Sequence, residues 1–448
     1  MYPVYKAERC LFVLALLCFK VMREGLHNTA TGDSLNYFRR LDYLKITIFG
    51  FAIAALWSSL HSIVLPLRLL DFVAESQKNT YLGLLTFAGL MLAMTVQPIA
   101  GVISDRSRFS WGRRRPYILL GTIATIVLLP GIGLLGSYAA IFIIYCLLQV
   151  SSNTAQGPYQ AFIPDLVPEG KRGLASGVKS LLEITGGIAL VRLVGHLMGQ
   201  YATGETSPWL WLVLGILAFI LLGAMVTTVL TVKEKPGNGD PQVSLFSALS
   251  RSFRIDIKTH PDFVLFLVSR LLIFMALATI QTFALYYLRD VIGVTNPATA
   301  TADLLIAAGI GMLIAVYPAG RLSDRIGRRP VVISSGLFGA LGILVIFFSP
   351  SYGYIIFGGA ILGIATGAFM SSNWALATDL VARGEEARYL GLTNVATAGG
   401  AALSRLIGPV IDFFNIYTPG LGYQIMLGAC FSYFIIGSLL LFKVKKIR

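Results

Sequence analysis

The chain has 448 residues, of which 56% are apolar and only 13% are charged. Ordinary soluble proteins carry roughly 25% charged residues, so this composition excludes a soluble enzyme and indicates a polytopic membrane protein. Lysine and arginine outnumber aspartate and glutamate by 36 to 22, which gives a net charge of +14. In a soluble chain this balance suggests a nucleic-acid partner, so the positions of the charges decide its meaning.

Residues 1–43 precede the first run that is long enough to span a bilayer. Their apolar stretch at 10–19 is too short, and Lys20 and Arg23 follow where a signal peptide has small residues. We interpret 1–43 as a weakly structured extension, with a start at Met22 as the alternative. The four cysteines have no paired spacing, so we expect neither a metal site nor a cofactor.

Twelve long apolar runs follow. Lipid offers the backbone no hydrogen-bond partner, and the runs lack period-2 alternation, so we predict an all-α membrane protein with twelve transmembrane helices. The runs lie at 46–66, 81–103, 117–136, 138–163, 174–199, 209–230, 262–288, 302–322, 331–349, 352–378, 389–414 and 421–442.

The basic residues concentrate in the connections on one side of this map. That side holds 29 of the 36, the other side holds three, and four lie within the runs. Because cytoplasmic loops carry the excess of Lys and Arg, we predict that both termini are cytoplasmic, at the inner membrane if the source is bacterial. The lipid bilayer then accounts for the basic balance, and no nucleic-acid partner is expected.

The two halves of the chain repeat each other. A polar linker at 232–261 separates a bundle at 44–231 from a bundle at 262–448. GVISDR at 101–106 matches GRLSDR at 320–325, and GGIALVRLVG at 186–195 matches GGAALSRLIG at 399–408. We infer two parallel six-helix repeats, with a solute site between them at mid-membrane.

The loop pattern GxxSDR followed by GRRRP at 112–116, or by GRRP at 327–330, resembles the signature of the major facilitator superfamily. Residues 104–116 and 282–293 are similar to segments of the glycoside-pentoside-hexuronide cation symporters and sucrose-type sugar transporters. The resemblance implies cation-coupled sugar movement by alternating access. Sodium-coupled members place acidic residues in the second span, whereas 81–103 contain no carboxylate, so we expect a proton as coupling ion.

The repeated loops predict a cytoplasmic gate. A glycine such as Gly101 allows close helix approach, and the aspartates can pair with the arginine row. The alternative is that the arginines only mark topology. The predicted gate residues are Gly101, Asp105, Arg106, Gly112, Arg113, Arg114, Asp165, Gly320, Asp324, Arg325, Gly327, Arg328 and Asp379.

Charged residues within spans are costly and are therefore candidates for function. Glu183 is the only carboxylate deep within the first-half spans, and Lys179 lies one turn before it. We predict that Glu183 carries the coupling proton and that Lys179 tunes its pKa. A static ion pair is the alternative.

Sugar recognition requires hydrogen-bonding groups and aromatic surfaces. Arg192 and Arg405 occupy equivalent positions in the two repeats, where they can bind a ligand or simply hold helix-end carbonyls. The predicted substrate-binding residues are Asn153, Gln156, Arg192, Gln281, Tyr286, Asn373, Trp374 and Arg405.

These features predict a monomeric secondary transporter that moves a small polar solute, a sugar or glycoside, with protons. An exporter of amphipathic drugs or metabolites and a non-transporting membrane sensor of the same fold are the alternatives. The sequence contains no Walker, HExxH or GxSxG motif, so neither ATP-driven transport nor hydrolysis has support.

Overall fold

The computed structural model describes residues 40–201, 208–234, 261–348, 351–380 and 386–444, the side chains of 386–388 and 390 excepted. Within these ranges the chain is helical and contains no strand. The helices are α1 Arg40–Leu69, α2 Glu75–Asp105, α3 Arg115–Leu134, α4 Tyr138–Leu166, α5 Glu169–Met198, α6 Pro208–Thr231, α7 Pro261–Asp290, α8 Pro297–Ile326, α9 Arg328–Phe348, α10 Tyr352–Leu380, α11 (Glu386–Leu403, Ser404–Ile407 and Gly408–Tyr417) and α12 Leu421–Leu441.

Eleven of these helices, all but α11, are long and apolar enough to cross a membrane, counted over the described residues. The prediction of an all-α polytopic membrane protein is therefore confirmed. The run predicted at 389–414 needs one correction, because a 3-10 turn at Ser404–Ile407 divides it. Pro409 follows at the start of the next segment, where its missing N–H and fixed φ favour a new helical beginning over continuation.

A second irregularity lies in α1. Residues Leu60–Val64 form a π-helical turn, which includes His61, before the α-helix resumes. Such turns are rare and are frequent at functional sites, because the extra residue changes which side chains face a neighbouring helix. The turn therefore makes His61 a candidate for function.

Glycines set the helix packing within each half. A Cβ on Gly363 or Gly367 of α10 would collide with the backbone of Ala308 or Met312 of α8. The first half uses the equivalent device, because a Cβ on Gly157 of α4 would lie 3.1 Å from the amide nitrogen of Gly101 of α2. In lipid, such small residues let backbones approach and gain dispersion contacts.

Several helix pairs join the halves, and glycines mark the close approach of two of them. Helix α2 meets α11, where a Cβ on Gly83 would collide with the carbonyl of Arg405. Helix α5 meets α8, where a Cβ on Gly195 would lie 2.6 Å from the Cβ of Ala302. Both approaches lie toward one end of the bundle, the end that carries the start of α2 and the start of α8. We call this the closed end, and we call the opposite end, with the loops at 106–114 and at Gly327, the loop end.

Gly363→Val tests the glycine packing. The added side chain overlaps the Ala308 backbone, which cannot rotate away, so we expect a loss of stability of about 1–3 kcal/mol. Thermal unfolding of the purified protein in detergent measures it. Gly353→Val is the matched control, because a Cβ there meets no atom within 4 Å. Equal melting temperatures for the two variants would show that the α8–α10 contact does not constrain the fold.

Candidate functional site

At the loop end of the first half, Arg114 holds three elements together. Its Nε and Nη2 lie 3.0 Å from the Asp165 carboxylate, and Nη2 also contacts Asp105. Its Nη1 donates to Ser104 Oγ at 2.7 Å and to the Gly101 carbonyl at 3.1 Å. Arg114 is 4% exposed, so its charge lies in a dry setting where these pairs are strong. The end of α2, the start of α3 and the end of α4 are thus fixed to one another.

A residue that sequence reasoning missed completes this cluster. Glu234, just after α6, accepts a hydrogen bond from the Arg114 backbone N–H at 2.8 Å. Arg115 donates to the Val232 carbonyl at 2.9 Å. Burial raises the pKa of the Glu234 carboxyl, although its hydrogen bond from Arg114 and the charge of Arg115 act in the opposite direction. Glu234 fills the space beside Gly112, whose φ of +133° favours glycine.

The second half repeats the arrangement in part. Arg328 lies 2.7 Å from Asp379, and the two positions have the same spacing as Arg114 and Asp165. Arg329 donates to the Leu441 carbonyl at the end of α12 at 2.7 Å, as Arg115 does beyond α6.

The remaining predicted gate residues have fewer contacts. Arg113 lies 2.7 Å from Asp165. A Cβ on Gly320 would lie 2.9 Å from Ser371 Oγ, whereas one on Gly101 would meet nothing within 4 Å in this structure. In the described part of the chain, no ion pair forms at the positions Arg106, Asp324 and Arg325.

At the closed end, charged residues cross between the halves. Lys78 of α2 lies 2.7 Å from Asp290 of α7 and 2.6 Å from Glu75. Glu75 in turn lies 2.6 Å from Arg289 of α7. These two acids and two bases alternate, so each charge has an opposite neighbour from the other half.

Asp412 of α11 makes a further polar contact between the halves. Its Oδ2 accepts from the Thr80 N–H at 2.6 Å, and its Oδ1 accepts from Asn79 Nδ2 at 2.8 Å. Both residues lie in the first turn of the α-helix Lys78–Asp105, where amide groups lack intrahelical acceptors. The carboxylate of one half therefore caps a helix of the other, and it is 6% exposed.

The α5–α8 side of the closed end has its own link. Arg192 lies 2.6 Å from Asp303 of α8, and the Tyr352 hydroxyl donates to the same carboxylate at 2.8 Å. Tyr286, another predicted binding residue, is buried and donates to the Pro66 carbonyl of α1 at 2.8 Å. The structure thus places Arg192 and Tyr286 in contacts between the halves.

Mid-way along the first half, polar and aromatic side chains of α1 and α4 form a cluster. His61 Nε2 and Tyr145 Oη are 2.8 Å apart, and Gln149 Nε2 donates to Tyr145 Oη at 2.9 Å. Asn153 Nδ2 donates to Gln149 Oε1 at 3.1 Å. Trp57 packs against the rings of His61 and Tyr145. Of these, sequence reasoning selected Asn153. Tyr145, Gln149 and Asn153 are spaced by four residues and therefore share one helix face. This spacing could have indicated Tyr145 and Gln149 from the sequence.

The second half contributes two buried arginines. Arg270 of α7 donates to Thr397 Oγ1 at 2.8 Å and to Asn373 Oδ1, and its guanidinium lies 5.8 Å from the Trp374 ring. Arg405 lies in the 3-10 break of α11 and donates to the Ala401 carbonyl and to Ser404 Oγ. Asn373 and Trp374 thus lie together, whereas Arg405 lies against α2 of the first half, where its carbonyl approaches Gly83.

Glu183 and Lys179 pack against α1 inside the first half. The Lys179 Nζ lies 3.8 Å from Glu183 Oε1, and it also lies 5.3 Å from the Tyr159 ring. The Glu183 side chain is 38% exposed although it lies near the middle of its span. Gln156 is partly exposed and Gln281 is exposed. In the described residues neither amide makes a side-chain hydrogen bond.

Gly112→Ala and Gly327→Ala separate the two reasons for the loop glycines. Both residues have positive φ, +133° and +96°, so each alanine is strained. At Gly112 the new Cβ would also lie 2.7 Å from Glu234, whereas at Gly327 its nearest neighbour is 3.7 Å away. We expect backbone strain to lower the free energy of unfolding of both variants by about 1 kcal/mol, so that both unfold at a lower temperature. The free energy of unfolding should fall further in Gly112→Ala. A larger loss in Gly327→Ala would contradict the placement of Glu234.

The chain matches a family model and several solved structures over most of its length. A family model described as MFS/sugar transport protein matches residues 42–442. Among solved structures, a bacterial homolog to the human lysosomal transporter Spinster aligns with a TM-score of 0.70 at 16% identity over 92% of this chain and 98% of that chain. A D-xylose-proton symporter aligns with a TM-score of 0.68 at 15% identity over 90% and 97%. At these identities the likeness shows the fold alone.

Curated relatives match in sequence over shorter stretches. The minor myo-inositol transporter IolF of Bacillus subtilis is 31% identical over 116 residues, 26% of this chain and 25% of its own length. The sucrose transport protein SUT1 of Oryza sativa subsp. japonica is 30% identical over 143 residues, which are 27% of this chain and 25% of that protein. The chain thus spans about a quarter of the length of these relatives. The multidrug resistance protein MdtG of Escherichia fergusonii is 25% identical over 364 residues, 75% and 79%. Because the family model covers nearly the whole chain, this protein belongs to the MFS/sugar transport protein family.

Proposed function

We propose that the protein is a secondary transporter that moves a small polar solute, a sugar or glycoside, with a proton by alternating access. The observation that carries the proposal is the polar cluster of His61, Tyr145 and Gln149 on one half. Tyr145 packs against Gly89 of α2, the helix that meets Arg405 of the other half at Gly83. Uncharged hydrogen-bonding groups between two repeats suit a solute rich in hydroxyls. A single chain supplies both halves and both ends, so we propose the monomer as the working unit.

The arrangement of contacts supports a state that is open toward the loop end. The links Lys78–Asp290, Asn79–Asp412 and Arg192–Asp303 all lie at the closed end. Away from these links, Trp374, which lies toward the loop end of α10, is 42% exposed, and Gln281 is exposed. Since the loop end carries the basic excess, we propose that it faces the cytoplasm and that this is the inward-open state.

A proton path through the first half remains our proposal for coupling. The long Lys179–Glu183 distance leaves Glu183 in reach of water, and its environment combines one cation with apolar helix surface. Protonation of Glu183 would release Lys179 toward the Tyr159 ring, which lies 5.3 Å away. This change of partner gives the half two states that differ by one proton.

An exporter of amphipathic compounds is the second candidate. It is favoured by one observation, the match to a multidrug resistance protein over 75% of the chain. The exposed Trp374 beside Phe274 and Arg270 offers the aromatic surface that such a solute needs.

Reconstitution in liposomes with a pH-sensitive dye inside tests the proposal. Addition of D-xylose, myo-inositol or sucrose outside should drive protons inward if sugar and proton move together. Glu183→Gln should lose the proton movement and keep exchange of labelled sugar, because the amide cannot carry a proton. Glu169→Gln is the control, because that side chain is 89% exposed and lies at the loop end.

The outcomes of this assay are distinct. Proton flux that persists in Glu183→Gln would remove Glu183 from the coupling role and leave sugar symport intact. Flux driven by hydrophobic amines, and by none of the sugars, would replace the sugar proposal with the exporter.

Asp412→Asn tests the closed end. The carboxylate holds two first-turn amides of α2, so its loss should weaken the closed state and raise accessibility about fivefold, the equivalent of about 1 kcal/mol. The readout is labelling of Ala298→Cys, a buried position beside Gly195, by a membrane-impermeant maleimide in a background without native cysteines.

Asp71→Asn is the matched control for this measurement. It removes the same charge at the same end, but Asp71 pairs with Arg68 inside the first half. An equal rise in both variants would show a general loosening, and an unchanged rate in Asp412→Asn would show that the cap does not hold the halves together.

A further inference from the structure

The equivalent arginines of the two repeats, Arg192 and Arg405, differ in whether an acidic residue neutralises them. Arg192 on α5 faces α8 of the other half and is neutralised by Asp303 at 2.6 Å. Arg405 is its repeat equivalent on α11 and faces α2 of the other half. The gate aspartates Asp105 and Asp324, on α2 and α8, lie 219 positions apart, and at this offset Asp303 corresponds to Leu84. One copy has kept its arginine and has no acid to balance it.

The environment of Arg405 confirms that its charge is uncompensated. Its hydrogen-bond acceptors are the Ala401 carbonyl and Ser404 Oγ, both neutral, and its Nε has no hydrogen-bond partner. In the described residues no carboxylate lies within 4 Å of this guanidinium. The residue is 6% exposed. Asp412, the next acid on α11, is occupied by Asn79 and Thr80.

A buried guanidinium without an anion is costly, because water no longer solvates the charge. Arg405 lies in the 3-10 turn Ser404–Ile407, and the segment Gly408–Tyr417 begins directly after it. In transporters, the starts of broken helices are places where anionic groups of solutes bind.

The facing surface of the first half supplies the rest of a site. His61, Tyr145 and Gln149 present neutral donors and acceptors, and Gly89 of α2 leaves space that the Tyr145 ring fills. A ligand between the halves therefore meets a fork-shaped cation on one side and uncharged hydrogen-bonding groups on the other.

We propose that Arg405 binds the negatively charged group of the transported solute, so that the solute is a small polyhydroxylated anion with a carboxylate or a phosphate. This inference rests on the proposed transport function and specifies the substrate class of the same site. The guanidinium fork matches both oxyanions, and the neutral cluster around Tyr145 binds hydroxyls.

The test compares solutes that differ only in the anionic group. Purified full-length protein is titrated with gluconate against sorbitol and with glucose 6-phosphate against glucose, at matched ionic strength, with binding followed by thermal stabilisation. We expect at least one anion to bind about tenfold or more tightly than its neutral partner, because a charge-assisted hydrogen bond forms with the anion alone. Inorganic phosphate alone should bind more weakly than glucose 6-phosphate.

The variants assign the preference to one side chain. Arg405→Gln should abolish the difference between anion and neutral partner, and Arg405→Lys should restore part of it. Arg172→Gln is the control, because it also removes one arginine charge but lies at the loop end near Glu169, outside the site, and it should keep the wild-type ratio. The comparison of anion with neutral partner is also made on the wild-type protein alone, so it does not depend on whether a variant folds.

Several results would overturn the inference. These are equal affinities within both pairs, no binding of either anion, a preference that survives in Arg405→Gln, or inorganic phosphate binding as tightly as the sugar phosphate. Transport of glucose or sorbitol without the anions would leave the sugar transporter standing and remove the anionic class. If no solute of either pair, nor any sugar of the liposome panel, moves, the proposed function falls as well.

Discussion

Charge inside a hydrocarbon layer is the constraint on which the rest of this structure depends. Water is excluded there, so each ion needs a partner from the protein. Most of the ion pairs accordingly lie at the two ends of the bundle and join segments that are distant in sequence, such as Lys78 with Asp290 and Arg114 with Asp165. The few charges therefore also determine which helices meet.

The placement of these pairs separates two tasks. Pairs at the loop end lie within a half, as Arg328–Asp379 does, and make each bundle stiff. The pairs that join the halves lie at the closed end, as Arg192–Asp303 does, and would break if that end opened. Rocking of two stiff bodies requires this division, because strong internal contacts must survive each cycle whereas those between the bodies are exchanged.

Much of the fold was predictable from the sequence because its signals are local. Apolar runs specify helices, and the repeated GxxSDR loops specify the duplication that Arg114–Asp165 and Arg328–Asp379 reflect. The candidate site was less predictable, because its contacts depend on facing helices. Arg192 and Arg405 read alike in sequence, and only the helix opposite each one shows that one is paired with Asp303 and the other is not. Glu234 escaped notice for the same reason, since nothing nearby in sequence indicates its contact with Arg114.

The contacts of Val232 and Glu234 bear on how the two halves are tethered. Arg115 donates to the Val232 carbonyl, and the Arg114 amide donates to the Glu234 carboxylate. The polypeptide therefore remains attached to the first bundle for three residues beyond α6. The tether between the bundles is thus shorter than the span between helix ends. Loss of the Glu234 contact would lengthen it without changing a peptide bond. A proton taken up by this carboxyl, whose pKa burial raises, would have the same effect as an insertion in the linker.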